Sequence, residues 1–222
     1  MIKSKKSMSI LLSALLLISC NLVVLAAEKQ ESTINDKSPA VVIEDTAKEI
    51  PFEIIQKIIR ENPDAGQITI IDYGEAQKES RDIQPRLVRG YSEVKKTYRV
   101  FNSTIDDLFV TSVAKCKTKK LGVAWSHTVS CSITGGIDEV SLGITGNVTK
   151  TYSEEDVFQG PPENSNYNSR EFRVKFYVNK GTYTALAHDD LPGFVAKIPI
   201  SGDFIEPAKY VAYSIDKTVN AR

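Results

Sequence analysis

Few residues of the 222-residue chain are suited to acid–base or metal chemistry, because only two of them are histidines. His188 is followed directly by Asp189 and Asp190. An imidazole beside two carboxylates can form an acid–base pair or supply metal ligands. The Leu-Pro-Gly at 191–193 is typical of a turn that closes a strand. A hydrolase centre near His188 is therefore one hypothesis for function.

A second polar cluster, Glu154, Glu155 and Asp156, has oxygen ligands of the type that calcium prefers, but such a run is also typical of a solvated strand end. The chain has no G-x-S-x-G, H-E-x-x-H or C-x-x-C motif. Beyond the hypothesis at His188, the sequence thus predicts no catalytic residue, no metal site and no cofactor.

The N-terminus resembles an export signal. Three lysines precede an apolar run over residues 8–19, shorter than the ~20 residues that a transmembrane helix needs. Cleavage after Ala26 would make residues 1–26 a signal peptide and release a secreted protein. The LISC sequence at 17–20 also resembles a bacterial lipobox. A lipidated Cys20 would instead anchor the protein at the outer face of the cell membrane.

Charge and composition exclude some partners. Basic and acidic residues number 28 each, and removal of the predicted signal deletes three lysines and no acid. The remaining chain is slightly acidic, so nucleic acid is not predicted as a partner. Residues 27–45 are expected to form a flexible polar leader, and residues 46–222 a single β-rich domain.

Export also bears on Cys116 and Cys131, the two cysteines outside the predicted signal. A pair of cysteines in an exported chain predicts a disulfide, and two buried thiols are the alternative. A tight turn at residues 119–120 would place these cysteines too far apart to bond. Residues 117–122 are therefore expected to form a broad loop or crossover, unless the flanking strands are not partners.

The elements that position these residues are mostly strands. Residues 51–62 predict one helix, with Phe52, Ile55, Ile58 and Ile59 on its apolar face. From Gln67 onward the apolar residues recur with period two, and Asn179-Lys180-Gly181 is interpreted as the turn of a hairpin. The predicted fold class is mainly β: an antiparallel sheet or sandwich of seven or more strands with one short N-terminal helix.

The most regular alternation lies in residues 123–148. Apolar side chains occupy odd positions in 123–133 and even positions in 140–148, opposite serines and threonines. Because directly opposed residues of an antiparallel pair share a face, odd positions must pair with even ones. A turn at 135–138 does this, and it sets Val129 opposite Ile144 and Trp125 opposite Val148.

Two functions fit this hairpin. Each arm is near the length of a membrane-crossing strand, and segment 123–148 resembles the inserting hairpin of aerolysin-like β-pore-forming toxins. That resemblance implies a membrane-active protein. An ordinary core sheet has the same alternation, and His127 on the apolar face favours it because a polar ring is costly in lipid.

The layout of signal, polar leader, short helix and Ser/Thr-rich strands resembles the small, uncharacterised secreted β-rich proteins of Gram-positive bacteria. The leading hypothesis is accordingly a noncatalytic exported β-domain that binds an unknown protein or cell-envelope component. Contact with the membrane would come through a lipidated Cys20 or through hairpin 123–148. The alternatives are the membrane-active protein and the hydrolase.

Overall fold

The computed structural model describes residues 38–76, 90–144, 146–188 and 197–219. The predicted signal peptide and lipobox lie outside these residues. The described strands are β1 (Ala40–Ile43), β2 (Gln67–Glu75), β3 (Gly90–Ala114), β4 (Thr118–Lys120), β5 (Trp125–Ser130), β6 (Ser132–Ile133), β7 (Asn147–Tyr152), β8 (Val157–Gln159), β9 (Ser169–His188) and β10 (Ile198–Lys217). The helices are α1 (Phe52–Glu61), α2 (Glu139–Leu142) and a 3-10 turn at Asp45–Ala47.

The mainly β class is confirmed, but the architecture is a six-stranded sheet with two separate two-stranded sheets. The main sheet has the order β1-β2-β10-β9-β3, and β6 pairs with β10 beyond the end of β2. It is mixed, because β1 runs parallel to β2. Residues 40–43, assigned above to the polar leader, are therefore an edge strand.

Three strands are far longer than the usual 3–10 residues: β3 has 25 residues, and β9 and β10 have 20 each. The predicted turn at Asn179-Lys180-Gly181 is wrong, since β9 continues through it and stays paired with β10. Gly181 is needed there for close approach. A Cβ at this position would lie 2.4 Å from the Thr97 carbonyl oxygen and 2.6 Å from the Phe204 ring.

The helix is confirmed at Phe52–Glu61, with Pro51 at its N-cap. Its buried residues are Ile54, Ile55 and Ile58, whereas Phe52 is 70 % exposed. The predicted apolar face was thus wrong for Phe52. Phe52 precedes the buried Ile54 by two residues, which is about 200° around a helix of 3.6 residues per turn. Its side chain therefore lies on the side of α1 away from the sheet.

Both faces of the main sheet are covered in its central part. On the helix face, α1 packs over a cluster that includes Tyr177, Val211 and Tyr213. On the opposite face, β5 and β7 pack over a cluster that includes Phe176 and Ala212. Side chains of β9 alternate between the two faces as expected. The face opposite Phe176, which includes Tyr177, is buried as well, because α1 covers it.

The hairpin predicted at 123–148 forms with a different register. β5 pairs with β7, so that Val129 lies opposite Val148 and Trp125 opposite Tyr152. The odd-to-even pairing is confirmed, and the pairing partners are wrong. The predicted turn at 135–138 is followed by the short helix α2. Asp138 caps its N-terminus by accepting a 2.8 Å bond from the Ser141 amide, and Gly143 ends it with φ +62°.

Candidate functional site

The ribbon formed by β5 and β7 is the first candidate site. Its outward face carries hydroxyls that pair across the strands, Ser126 with Thr151 at 3.0 Å and Thr128 with Thr149 at 2.8 Å. Its inward face buries apolar side chains against the main sheet, with Val129 6 % exposed. The ribbon is therefore an amphipathic layer with its apolar side on the core and its hydroxyl side in solvent.

Polar contacts also fasten the inward face. His127 Nε2 lies 2.9 Å from Asp106 Oδ2, with the imidazole edge against the ring of Phe176. On the other arm, Lys150 forms an ion pair with Asp72, which also accepts a 2.9 Å bond from the Tyr210 hydroxyl. His127 is thus a hydrogen-bonded residue in a mostly apolar layer, which is the arrangement that a core hairpin requires.

The ribbon's tip, residues 134–144, wraps around the sheet. β6 pairs with β10 at its edge, and Ile137 and Leu142 then pack with Tyr183. Tyr183 lies on the helix face with Tyr177, because alternate positions of a strand share a face and the one bulge in this pairing is an extra residue of β10, at Ala208, and not of β9. The ribbon and its tip therefore pack on opposite faces of the sheet, and the chain between them passes around the edge at β10.

Hydrogen bonds fix the tip in this position. The Tyr183 hydroxyl donates to the Thr134 carbonyl at 2.7 Å, and the Tyr91 hydroxyl donates to the Gly136 carbonyl at 2.6 Å. The Lys96 ammonium donates to the Gly143 carbonyl at 2.7 Å. The backbone of the tip is consequently satisfied by side chains of the main sheet.

An ionic network around the buried Lys175, under α1, was not anticipated from the sequence. Lys175 is 1 % exposed and lies in contact with the Glu61 carboxylate and 3.0 Å from Asp107 Oδ2. Asp107 also accepts bonds from Arg173 Nε at 3.0 Å and from the Tyr213 hydroxyl at 3.1 Å. The period-two pattern assigned Lys175 only to the polar side of its strand. Its partners Glu61 and Asp107 are distant in sequence, so no pattern of neighbouring residues indicates them.

This network predicts a pH dependence of stability. Burial alone would raise the pKa of Asp107, but Lys175 and Arg173 outweigh it and hold that pKa below its ordinary value. A lowered carboxyl pKa contributes stability above the unfolded-state value of about 3.9, and this contribution is lost as pH falls through the folded-state pKa. Urea unfolding between pH 6 and pH 3 should show a steep loss below about pH 4.

The variant Asp107→Asn should be less stable at pH 6 and should lose less stability on acidification. Asp45→Asn is a suitable control, because Asp45 lies on the surface in an exposed pair with Lys48. Its profile should run parallel to that of the unmodified protein. Parallel profiles for all three proteins would contradict the assigned role of Asp107.

An exposed aromatic surface is the second candidate site, and the sequence pattern did not predict it. Phe52 on α1 and Phe101 on β3 are 70 % and 64 % exposed. Three more exposed apolar residues lie on β3, namely Val100, Ile105 and Phe109. Exposed aromatic residues grouped on one element are typical of interaction surfaces. The sequence signal for this surface is the excess of apolar residues in 100–110, and a buried strand would show the same excess.

The two cysteines lie far apart. Cys116 is exposed just after β3, which ends beside Ser169, and Cys131 lies next to β6, at the level of Lys180 on β9. These levels are separated by about 11 residues, or roughly 36 Å along the strand. No disulfide joins Cys116 and Cys131 in this structure. The bond stays a prediction that non-reducing mass analysis would check, and it would require another path for residues 115–133.

The candidate acid–base centre is described in part. His188 ends β9 opposite Gly90 and is half-buried, whereas Asp189 and Asp190 lie outside the described residues. In the acidic turn after β7, Glu155 pairs with Lys120 at 2.7 Å and Asp156 accepts the Ser153 amide at 2.7 Å. Within the described ranges, no three His, Cys, Asp or Glu side chains are grouped to hold a metal ion.

Comparison with known proteins adds no assignment. No protein-family model, curated protein or solved structure matches the chain. In the part of the chain that the structure describes, no helix has both the length and the apolar character needed to cross a membrane.

Proposed function

We propose that the protein is a noncatalytic exported β-protein that acts by binding a component of the cell envelope or its surroundings. The observation that supports this proposal is the set of four exposed apolar side chains on β3, at residues 100, 101, 105 and 109. β3 is the last strand of the main sheet, so these residues lie on an edge strand whose outer side no described strand covers. Exposed aromatic side chains at such a position are suited to binding a partner.

Binding of the labelled exported protein to Gram-positive cells and to isolated envelopes tests this function. We expect saturable binding that unlabelled protein displaces. The double variant Phe101→Ser, Phe109→Ser should bind at least tenfold more weakly, since aromatic anchors often contribute over 1 kcal/mol each. Val157→Ser is the control, because Val157 is exposed to a similar extent on β8.

Two results would refute the proposal. The first is retention on cells and envelopes no greater than that of an unrelated exported β-protein. The second is turnover of a hydrolase substrate that one point substitution near His188 abolishes while the fold is retained. The second result would favour the acid–base centre instead.

The ribbon supports membrane activity as a second candidate function. It forms its own two-stranded sheet, and it is inserted in sequence between β3 and β9, which pair directly with each other. One of its faces carries hydroxyls and the other carries mainly apolar groups. Release of an encapsulated dye from liposomes at submicromolar protein would support this function over simple binding.

A further inference from the structure

Phe52 and Phe101 lie beside a pair of contacts between α1 and β3. The Asn102 side-chain amide lies 3.5 Å from Glu53 Oε1, and the Lys57 ammonium donates to the Asn102 carbonyl at 3.1 Å. Each phenylalanine immediately precedes a residue of these contacts. The chain positions of the two phenylalanines are therefore close to each other, and both side chains are exposed. They are named here the phenylalanine patch.

The backbone at Phe101 is built to push the ring outward. Phe101 and Asn102 form a bulge, with no register partner between Val100 and Ser103. Asn102 has φ +51°, and its amide donates to Asn179 Oδ1 at 3.1 Å. Asparagine tolerates this left-handed conformation better than most residues. A bulge redirects a side chain at a sheet edge, and this one is fastened to both β9 and α1.

The Phe101 ring is also held in place. It stacks on the Tyr98 ring with centroids 5.2 Å apart, and Tyr98 meets the Phe204 ring edge-on at 5.3 Å. Phe101 is thus the outermost ring of a stack that begins in the core, and it remains 64 % exposed. A rigid, protruding ring loses little conformational freedom on binding.

The patch is better suited to lipid than to a second protein surface. Five register shifts interrupt β3 against β9, so its edge is a poor template for an added strand. The two rings expose roughly 250 Å² of apolar area, well below the ~800 Å² per partner of a stable protein interface. Two protruding rings are sufficient to enter the headgroup region of a bilayer.

Charges around the patch are balanced. Lys57 and Glu53 both meet Asn102, and Arg99 lies 4.0 Å from Asp203. The patch therefore has no strong electrostatic preference for an anionic surface. Binding that depends on the rings should respond weakly to salt and to the fraction of anionic lipid.

We propose that the phenylalanine patch is a lipid-binding site through which the protein contacts a phospholipid bilayer surface. This inference rests on the proposed binding function and names the partner of Phe101, one of the side chains that support that function. It requires neither insertion of the ribbon nor rearrangement of the fold, because both rings are already exposed.

Co-sedimentation with phospholipid vesicles tests the proposal. All proteins carry Cys20→Ala, which removes the alternative lipid attachment point. Vesicles of phosphatidylcholine alone, and of phosphatidylcholine with phosphatidylglycerol, should bind the protein to a similar extent. Phe52→Ser and Phe101→Ser should each lower the partition coefficient about tenfold, since each withdraws an aromatic ring from the lipid. Val157→Ser, at an exposed apolar residue of β8 outside the patch, should leave it unchanged.

Three outcomes would overturn this inference. Absence of vesicle binding, with binding to cell envelopes intact, would reject lipid as the partner and leave the proposed function standing. Equal losses in Val157→Ser would reject the location of the site. A self-associated state in sedimentation velocity that Phe101→Ser alone dissociates would assign the patch to a second copy of the chain. Far-UV and near-UV circular dichroism must show that each variant is folded.

Discussion

Val129→Asp is expected to unfold the protein. Val129 is 6 % exposed between the ribbon and the main sheet, in a cluster with Val148, Val174 and Phe176. An unpaired carboxylate there costs several kcal/mol, against a total stability of about 5–15 kcal/mol for a domain of this size. Thermal or urea unfolding followed by circular dichroism measures the effect.

Thr128→Asp is the matched control, because Thr128 is the neighbouring residue on the exposed face of the same strand. It loses its bond to Thr149 and should cost less than about 1 kcal/mol. The opposite behaviour would identify the ribbon as a detachable membrane element. In that case Val129→Asp remains folded, and the dye release that the unmodified protein causes at submicromolar concentration is lost.

The second large effect is expected from Lys175→Met. Lys175 lies between the Glu61 and Asp107 carboxylates and is 1 % exposed, so its removal leaves those carboxylates facing each other without the cation. The remaining carboxylates of Glu61 and Asp107 are 40 % and 30 % exposed, so water screens their repulsion in part, and the expected loss of stability is about 1.5–3 kcal/mol. Lys120→Met should cost under about 1 kcal/mol, because Lys120 pairs with Glu155 on the surface.

A second substitution separates electrostatics from packing. If repulsion between carboxylates dominates, Asp107→Asn added to Lys175→Met should recover part of the lost stability, measured as a double-mutant cycle. Equal losses from Lys175→Met and Lys120→Met would contradict the central role assigned to the network.

Several features followed from the sequence by itself. The helix at 52–61 is encoded by isoleucines at helical spacing after a proline, and the strands by alternation with period two. The odd-to-even pairing of the ribbon also followed, because side chains alternate strictly between faces and the hydroxyl and apolar sides must each align. These are local regularities, so a single sequence contains them completely.

Other features depend on partners distant in the chain, and only the tertiary structure decided them. Asn179-Lys180-Gly181 has the composition of a turn, yet β9 runs straight through because β10 pairs with it on one side and β3 flanks it on the other. The ribbon's register shifted because its tip is held by Tyr183 and Lys96 of the main sheet. Lys175 is buried only because α1 brings Glu61 above it. Phe101 is exposed because a bulge, fastened to α1 and β9, turns it outward. Residue type and spacing determine which face of each helix or strand is apolar and which is polar. Whether a face is buried or exposed to solvent depends on how all the elements pack together.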